Sequence, residues 1–195
     1  MRPETVLAYL VFSIVTSVTP GPNNLMLTAT GANVGIRRGL PHLFGINLGF
    51  GLMLFLLTAG IGAALTQNAA LMLGLKIVGI AVLLWLAFKI ATAGRATSER
   101  RERPIGFFTA VAFQWVNPKA WLIAAGSVGF LQPDMAPLIQ SAFFGLTFMV
   151  VGIPCLLLWL AFGAVMQRFL HTDRALRTFN IAMGVLLAAT VPFLV

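Results

Sequence analysis

Thr19-Pro20-Gly21-Pro22-Asn23-Asn24 interrupts a hydrophobic run that begins near Val6 and resumes to about Ala32. Proline inside a helix removes a donor and clashes with the carbonyl one turn back. Two prolines flanking a glycine argue against one continuous helix through residues 20–22. In a bilayer the freed backbone groups must meet protein, water or ligand, because lipid offers them no partner. A second interruption, Val116-Asn117-Pro118-Lys119, falls inside another hydrophobic run, roughly 105–131. Asn23 and Asn24 stand where a second half-helix would begin, and Asn is a good N-cap. Asn117 followed by Pro118 reads as an N-cap and a proline at the first helical position. Both breaks then aim free N–H groups and the positive end of a half-helix at mid-membrane, where a transporter holds a carboxylate. A kink that only aids packing is the competing reading of one break. Two at matched positions favour a cavity.

The bulk composition puts these breaks in a membrane. Of 195 residues, 59% are apolar and 9% are charged, against about 25% charged in a soluble domain. Mean hydropathy is +0.94. A soluble globule needs a polar exterior, so soluble enzymes, soluble nucleic-acid binders and disordered tails are excluded. A span needs about 20 apolar residues. Six segments of that kind are legible, at roughly 5–32, 40–65, 71–93, 105–131, 138–169 and 176–195. The first is not a removable signal: Thr19-Pro20 is a poor cleavage site, and the apolar run continues past it.

Charge sets the orientation. The net charge of +8 comes from 13 Lys+Arg against 5 Asp+Glu, and the basic residues fall mostly between apolar runs. Arg37 and Arg38 mark the first loop, Arg95, Arg100, Arg101 and Arg103 the third, and Arg168, Arg174 and Arg177 the fifth. The second and fourth loops carry no positive charge. The positive-inside rule places loops one, three and five in the cytoplasm and both termini outside, in a plasma or inner membrane. No loop is long enough for the continuous basic surface that nucleic acid requires.

Three spans precede the long basic loop and three follow it. Three is odd, so the halves cross in opposite senses, as inverted repeats do in secondary transporters. The expected fold is an all-α polytopic membrane protein of six transmembrane helices in two inverted three-helix repeats. The first helix of each repeat is broken at mid-membrane. Residues 1–195 form one transporter domain: repeat one at about 5–93, a cytoplasmic loop at about 94–104, and repeat two at about 105–195.

Lys119 is the most informative residue. A lysine near the bilayer centre costs about 2.5 kcal/mol or more unless it is satisfied, so it faces the interior. The acids Glu4, Glu99, Glu102, Asp134 and Asp173 lie near segment ends or in loops. Lys119 is therefore served by backbone carbonyls, water or an anionic ligand. Two roles remain open and compatible: it binds a substrate carboxylate or changes protonation, or it ties down the carbonyls freed at the first break. The candidate substrate-binding set is Pro20, Gly21, Pro22, Asn23, Asn24, Asn47, Gln114, Asn117, Pro118 and Lys119. Asn47 and Gln114 belong to it as uncharged polar groups inside spans that need partners.

Catalytic, cofactor and metal sets are not expected. No Ser/His/Asp set or Gly-rich phosphate loop is visible, and no His/Cys/Asp cluster has metal-ligand spacing. His42 and His171 read as interfacial, with a proton-handling role for His42 as the alternative. Cys155, the single cysteine, reads as buried filler and excludes a two-cysteine redox relay. Gly31, Gly35 and Gly39, and then Gly45 and Gly49, recur every four residues, the spacing at which helices approach closely. Such stripes pack helices within one chain or across a homodimer equally well.

The stretch from Thr19 to Asn23, followed by Gly35, Gly39 and Gly45-x-x-x-Gly49, resembles the lysine exporter (LysE/RhtB) family of amino-acid efflux proteins. Asn117-Pro118-Lys119 resembles that family's second signature, and Leu75-Lys76 through Gly79 to Lys89 fits its third segment. The resemblance covers the whole chain. It implies a six-span inner-membrane exporter of amino acids or close derivatives, driven by an ion gradient. Many members carry an aspartate directly after the second glycine of segment two, where this chain has Phe50. An apolar residue there, Arg103-Pro104-Ile105 and Gln114-x-Val116-Asn117 resemble the cysteine/O-acetylserine exporter subgroup. The expected partners are a small neutral amino acid (cysteine, O-acetylserine, homoserine or threonine) and the lipid bilayer. The competing reading is a membrane assembly or scaffold protein without transport, which has no need of two mid-span breaks.

Overall fold

The structure, a computed structural model, describes residues 1–62, 67–93 and 105–194. Among these there are seven α-helices and no strand. They are α1 (Pro3–Val18), α2 (Pro22–Leu56), α3 (Ala69–Ala91), α4 (Phe107–Gln114), α5 (Pro118–Val128), α6 (Pro137–Gln167) and α7 (Asp173–Ala188). A π-helical turn (Leu57–Ile61) extends α2, and a 3-10 turn (Val191–Leu194) follows α7. Thr66, Val195 and the arginines and glutamates of the third loop lie outside the described residues.

The local causes are visible in the sequence. Pro3, Pro22, Pro118 and Pro137 each open a helix, where a missing N–H costs nothing. Asn68 caps α3 by accepting from the Leu71 amide at 3.0 Å, and Thr172 caps α7 by accepting from Ala175 at 3.1 Å. Pro154 sits inside α6 without ending it.

Among the described residues, three helical stretches are long and apolar enough to cross a membrane: Pro22–Gly60, Ala69–Ala91 and Pro137–Gln167. The first runs to 39 residues, about 58 Å if straight, nearly twice a bilayer core of about 30 Å. Gly35 resolves the excess. Its φ of 75° and ψ of 178° are non-helical and divide α2 into legs 22–34 and 36–56. Thr30 Oγ1 lies 2.9 Å from His42 Nδ1. A straight helix would hold those residues about 18 Å apart, so the second leg folds back along the first. Arg37 and Arg38 are exposed at this reversal. Gly35 therefore supplies a turn that L side chains rarely adopt, rather than the helix contact its four-residue spacing suggests.

Close packing does occur at the neighbouring glycines. A Cβ on Gly31 would strike the Leu160 carbonyl, and one on Gly163 the Thr28 carbonyl, so α2 and α6 touch backbone to backbone. Gly45 and Gly49 do the same for α2 against Phe107 and Val111 of α4. α2 packs most extensively on α6, then on α4; α1 also packs on α6, and α3 on α7. One core cluster joins Tyr9, Phe50, Met53, Phe144 and Phe148, so α1, α2 and α6 share it. The outer surface is apolar, with Leu7, Phe88, Phe108, Leu122, Val150 and Leu158 largely exposed. An exterior of this kind is solvated by lipid.

Candidate functional site

Both sequence breaks are real gaps in the helices. α1 ends at Val18 and α2 starts at Pro22; α4 ends at Gln114 and α5 starts at Pro118. The backbone groups freed at each gap are served in different ways. At the second, Asn117 caps α5 by accepting from its own neighbour, the Lys119 amide, at 3.1 Å. The Trp121 indole donates to the Trp115 carbonyl at 2.8 Å.

At the first gap the capping residue of α2 is Gly21, which has no side chain to offer. Asn23 and Asn24 lie inside the first turn instead of capping it. Asn24 Nδ2 reaches back to the Ser17 and Thr19 carbonyls at 3.0 and 2.9 Å. Asn23 crosses to α4 and exchanges two hydrogen bonds with Gln114: Nδ2 donates to Oε1 at 2.9 Å, and Nε2 donates to Oδ1 at 3.2 Å. Gln114 Nε2 also donates to the Ala110 carbonyl at 2.9 Å. The uncapped positive helix end is therefore that of α2, whereas α5 is closed by Asn117.

Lys119 leaves the start of α5 and crosses to the first break. Its Nζ donates to the Thr19 carbonyl and, at 3.4 Å, to the Pro20 carbonyl. The ammonium thus serves the carbonyl end of α1, one of the two roles open from sequence. An ammonium carries three donors, so one remains for a ligand. Gly21 makes the crossing fit: a Cβ there would sit 2.6 Å from Lys119 Cδ.

Between the two breaks lies a cavity of about 40 Å³, room for about three waters. Its polar wall is Ser17, Asn23, Asn24, Asn47, Asn117 and Lys119, and its apolar wall is Ile46, Phe50, Ile123, Phe148 and Leu156. Asn47 Nδ2 donates to the Met149 carbonyl at 3.1 Å, tying α2 to α6. The Phe50 and Phe148 rings meet edge to face with centroids 4.5 Å apart. Phe50 thus puts an aromatic surface into the cavity, and among the described residues no carboxylate lines it. Of the candidate residues, Gly21, Asn23, Asn24, Asn47, Asn117 and Lys119 line this cavity. Pro20, Pro22 and Pro118 frame the breaks, and Gln114 reaches the wall through Asn23. Thr16, Ser17 and Gly152 also line it without a sequence signal, since hydroxyls and glycines are ordinary in apolar helices.

His42 is fully buried against Thr30, not interfacial. A larger cavity, about 360 Å³, opens among α2, α3 and α4 beside Asn33, Trp85 and Lys89. There Asn33 and Asn180 exchange amide hydrogen bonds at 2.8 and 2.9 Å, and Asn180 also donates to the Ala93 carbonyl.

Residues 14–194 match the model of the LysE type translocator family. The chain belongs to that family. A LysE type translocator is a transporter rather than an enzyme, and the apolar exterior agrees with a multi-pass membrane protein. The chain is 33% identical over 190 residues to a cysteine/O-acetylserine efflux protein of Salmonella choleraesuis, covering 96% of this chain and 95% of that one. Proteins of the same name from Escherichia coli and Klebsiella pneumoniae are 31% and 29% identical over 190 and 193 residues. The Klebsiella match covers 98% of both chains, and the Escherichia match covers 96% of this chain and 95% of its relative. No solved structure matches the chain.

Proposed function

We propose that this chain is an inner-membrane exporter of small neutral amino acids, cysteine and O-acetylserine first among them. The observation that carries the reading is the cavity between the two breaks, where an uncapped helix end and one ammonium face an apolar wall. The substrate carboxylate binds at the start of α2 and at the free donor of Lys119. A short apolar or weakly polar side chain lies against Phe50 and Phe148. A dibasic substrate fits poorly, because its second positive charge meets no carboxylate. The names of the relatives favour the same substrate class.

Transport proceeds by alternating access in a single domain of two inverted repeats. In this scheme α1 with the first leg of α2 corresponds to α4 with α5, the second leg of α2 to α6, and α3 to α7. The packing supports it: α2 meets α4 as α6 meets α1. The space between the breaks is smaller than an amino acid, so loading requires the halves to part. Lys119 bridges them, and its release from the Thr19 and Pro20 carbonyls accompanies that parting. A proton is the proposed coupling ion, and the termini face outward by the arginine distribution.

Purified protein in liposomes tests the reading. Time-dependent, saturable uptake of labelled cysteine or O-acetylserine, accelerated by a pH gradient, is expected. Absence of flux for the whole panel of amino acids, with the protein correctly inserted, refutes it in favour of a scaffold role.

A further inference from the structure

We propose that Ser17 Oγ and Asn47 Oδ1 together form the subsite for the substrate's ammonium group. The inference rests on the exporter reading and adds which end of the substrate faces which wall.

Both oxygens are buried and accept no hydrogen bond from any described protein group. Ser17 is 7% exposed and Asn47 is 3% exposed, and both line the cavity between the breaks. Orphaned buried oxygens are rare, because burial without a partner is unfavourable. Ser17 also departs from its neighbours. Ser13, Thr16 and Thr19 each turn their hydroxyl back onto a carbonyl one turn earlier, at 2.8, 2.7 and 2.5 Å. Ser17 does not, although it lies on the same stretch of chain. Asn47 is held in one sense: its Nδ2 donates to the Met149 carbonyl, so its oxygen must point the other way. Gly152 leaves room for that oxygen, since a Cβ there would lie 2.5 Å from Oδ1.

Two residues that line one small cavity each keep an oxygen without a protein donor, and a ligand with several donors on one atom answers both. An ammonium has three. A carboxylate would be repelled by the same pair, and it has its own place at Lys119 and the start of α2. The zwitterion is then held by both ends. Uncharged acceptors suit this task, because they recognise an ammonium without adding a carboxylate that would also hold a free cation.

The test compares O-acetyl-L-serine with 3-acetoxypropanoate, the same molecule lacking the amino group. Both are measured as competitors of labelled O-acetyl-L-serine counterflow in liposomes holding the full chain. Ser17→Ala removes a hydroxyl with no bond in the structure. It is expected to raise the half-saturating concentration of O-acetyl-L-serine about tenfold and leave that of 3-acetoxypropanoate unchanged. Ser17→Thr restores the difference, and Asn47→Leu repeats the loss at the second oxygen. Equal weakening of both compounds, or of neither, in Ser17→Ala and Asn47→Leu overturns the subsite while leaving export standing. A native protein that carries no amino acid overturns the exporter reading itself, and the subsite with it.

Discussion

Gly21→Ala isolates the contact on which the account of Lys119 depends. Gly21 has φ −175° and ψ 179°, an extended backbone that alanine adopts without strain. The substitution therefore acts through space. Its Cβ would stand 2.6 Å from Lys119 Cδ and 3.1 Å from Nζ. Ordinary contact begins near 3.4 Å, so the lysine stem must recede by about 0.8 Å, the difference between 3.4 and 2.6. A flexible stem swings away at little cost of its own. What is lost is the charge-assisted hydrogen bonding to the Thr19 and Pro20 carbonyls. The 3.4 Å contact to Pro20 is marginal, so the loss is that of one hydrogen bond to a charged group, about 1.5–3 kcal/mol, or about ten- to hundredfold in the population of the bridged state. Counterflow in liposomes should fall by that order in Gly21→Ala. Thermal unfolding in detergent should show a cost that disappears when Lys119→Ala is present, because the clash partner is gone. Full transport by Gly21→Ala would show that the Lys119 bridge is not needed. An equal stability cost in the native and Lys119→Ala backgrounds would show that the cost does not come through Lys119.

Three further outcomes follow from the packing. Gly163→Ala drives a methyl into the Thr28 carbonyl and should destabilise the α2–α6 contact by about 1–3 kcal/mol, read as a lower unfolding temperature; an unchanged temperature contradicts the backbone contact. Asn23→Leu and Gln114→Leu should be non-additive, with a coupling of about 0.6–1.7 kcal/mol as found for interhelical bonds in membranes, and strict additivity in the double variant contradicts the reciprocal amide pair. Replacing both Pro20 and Pro22 with alanine lets α1 and α2 join through the gap and should impair transport while insertion, measured by surface labelling, is preserved; unimpaired transport counts against the discontinuous first segment.

Much of the site was legible because proline and mid-span charge act locally. Pro20 and Pro22 force a gap whatever surrounds them, and Asn117-Pro118 carries its own cap. Lys119 had to face inward, yet its partners come from a segment a hundred positions away, and no local rule identifies the Thr19 carbonyl. Asn23 and Gln114 illustrate the same limit: each was visible as polar in an apolar run, but their pairing is tertiary. The spacing of Gly35 from Gly31 and Gly39 mimics a packing stripe, whereas its positive φ makes the reversal between the legs of α2. Asn24 looked like a cap and acts instead as a clamp on the end of α1. His42 looked interfacial from its place near Arg37 and Arg38, but the fold-back of α2 buries it against Thr30.

We propose that the two breaks enclose an amino-acid site through which Lys119 governs transport. Mass spectrometry of the medium tests it most directly, after induced expression in a bacterial strain lacking its main amino-acid exporters. Extracellular accumulation of cysteine, O-acetylserine or another small neutral amino acid is expected with the native chain, and none with an equally inserted Lys119→Ala. Equal accumulation with both would contradict the role of Lys119, and no accumulation with either would contradict export.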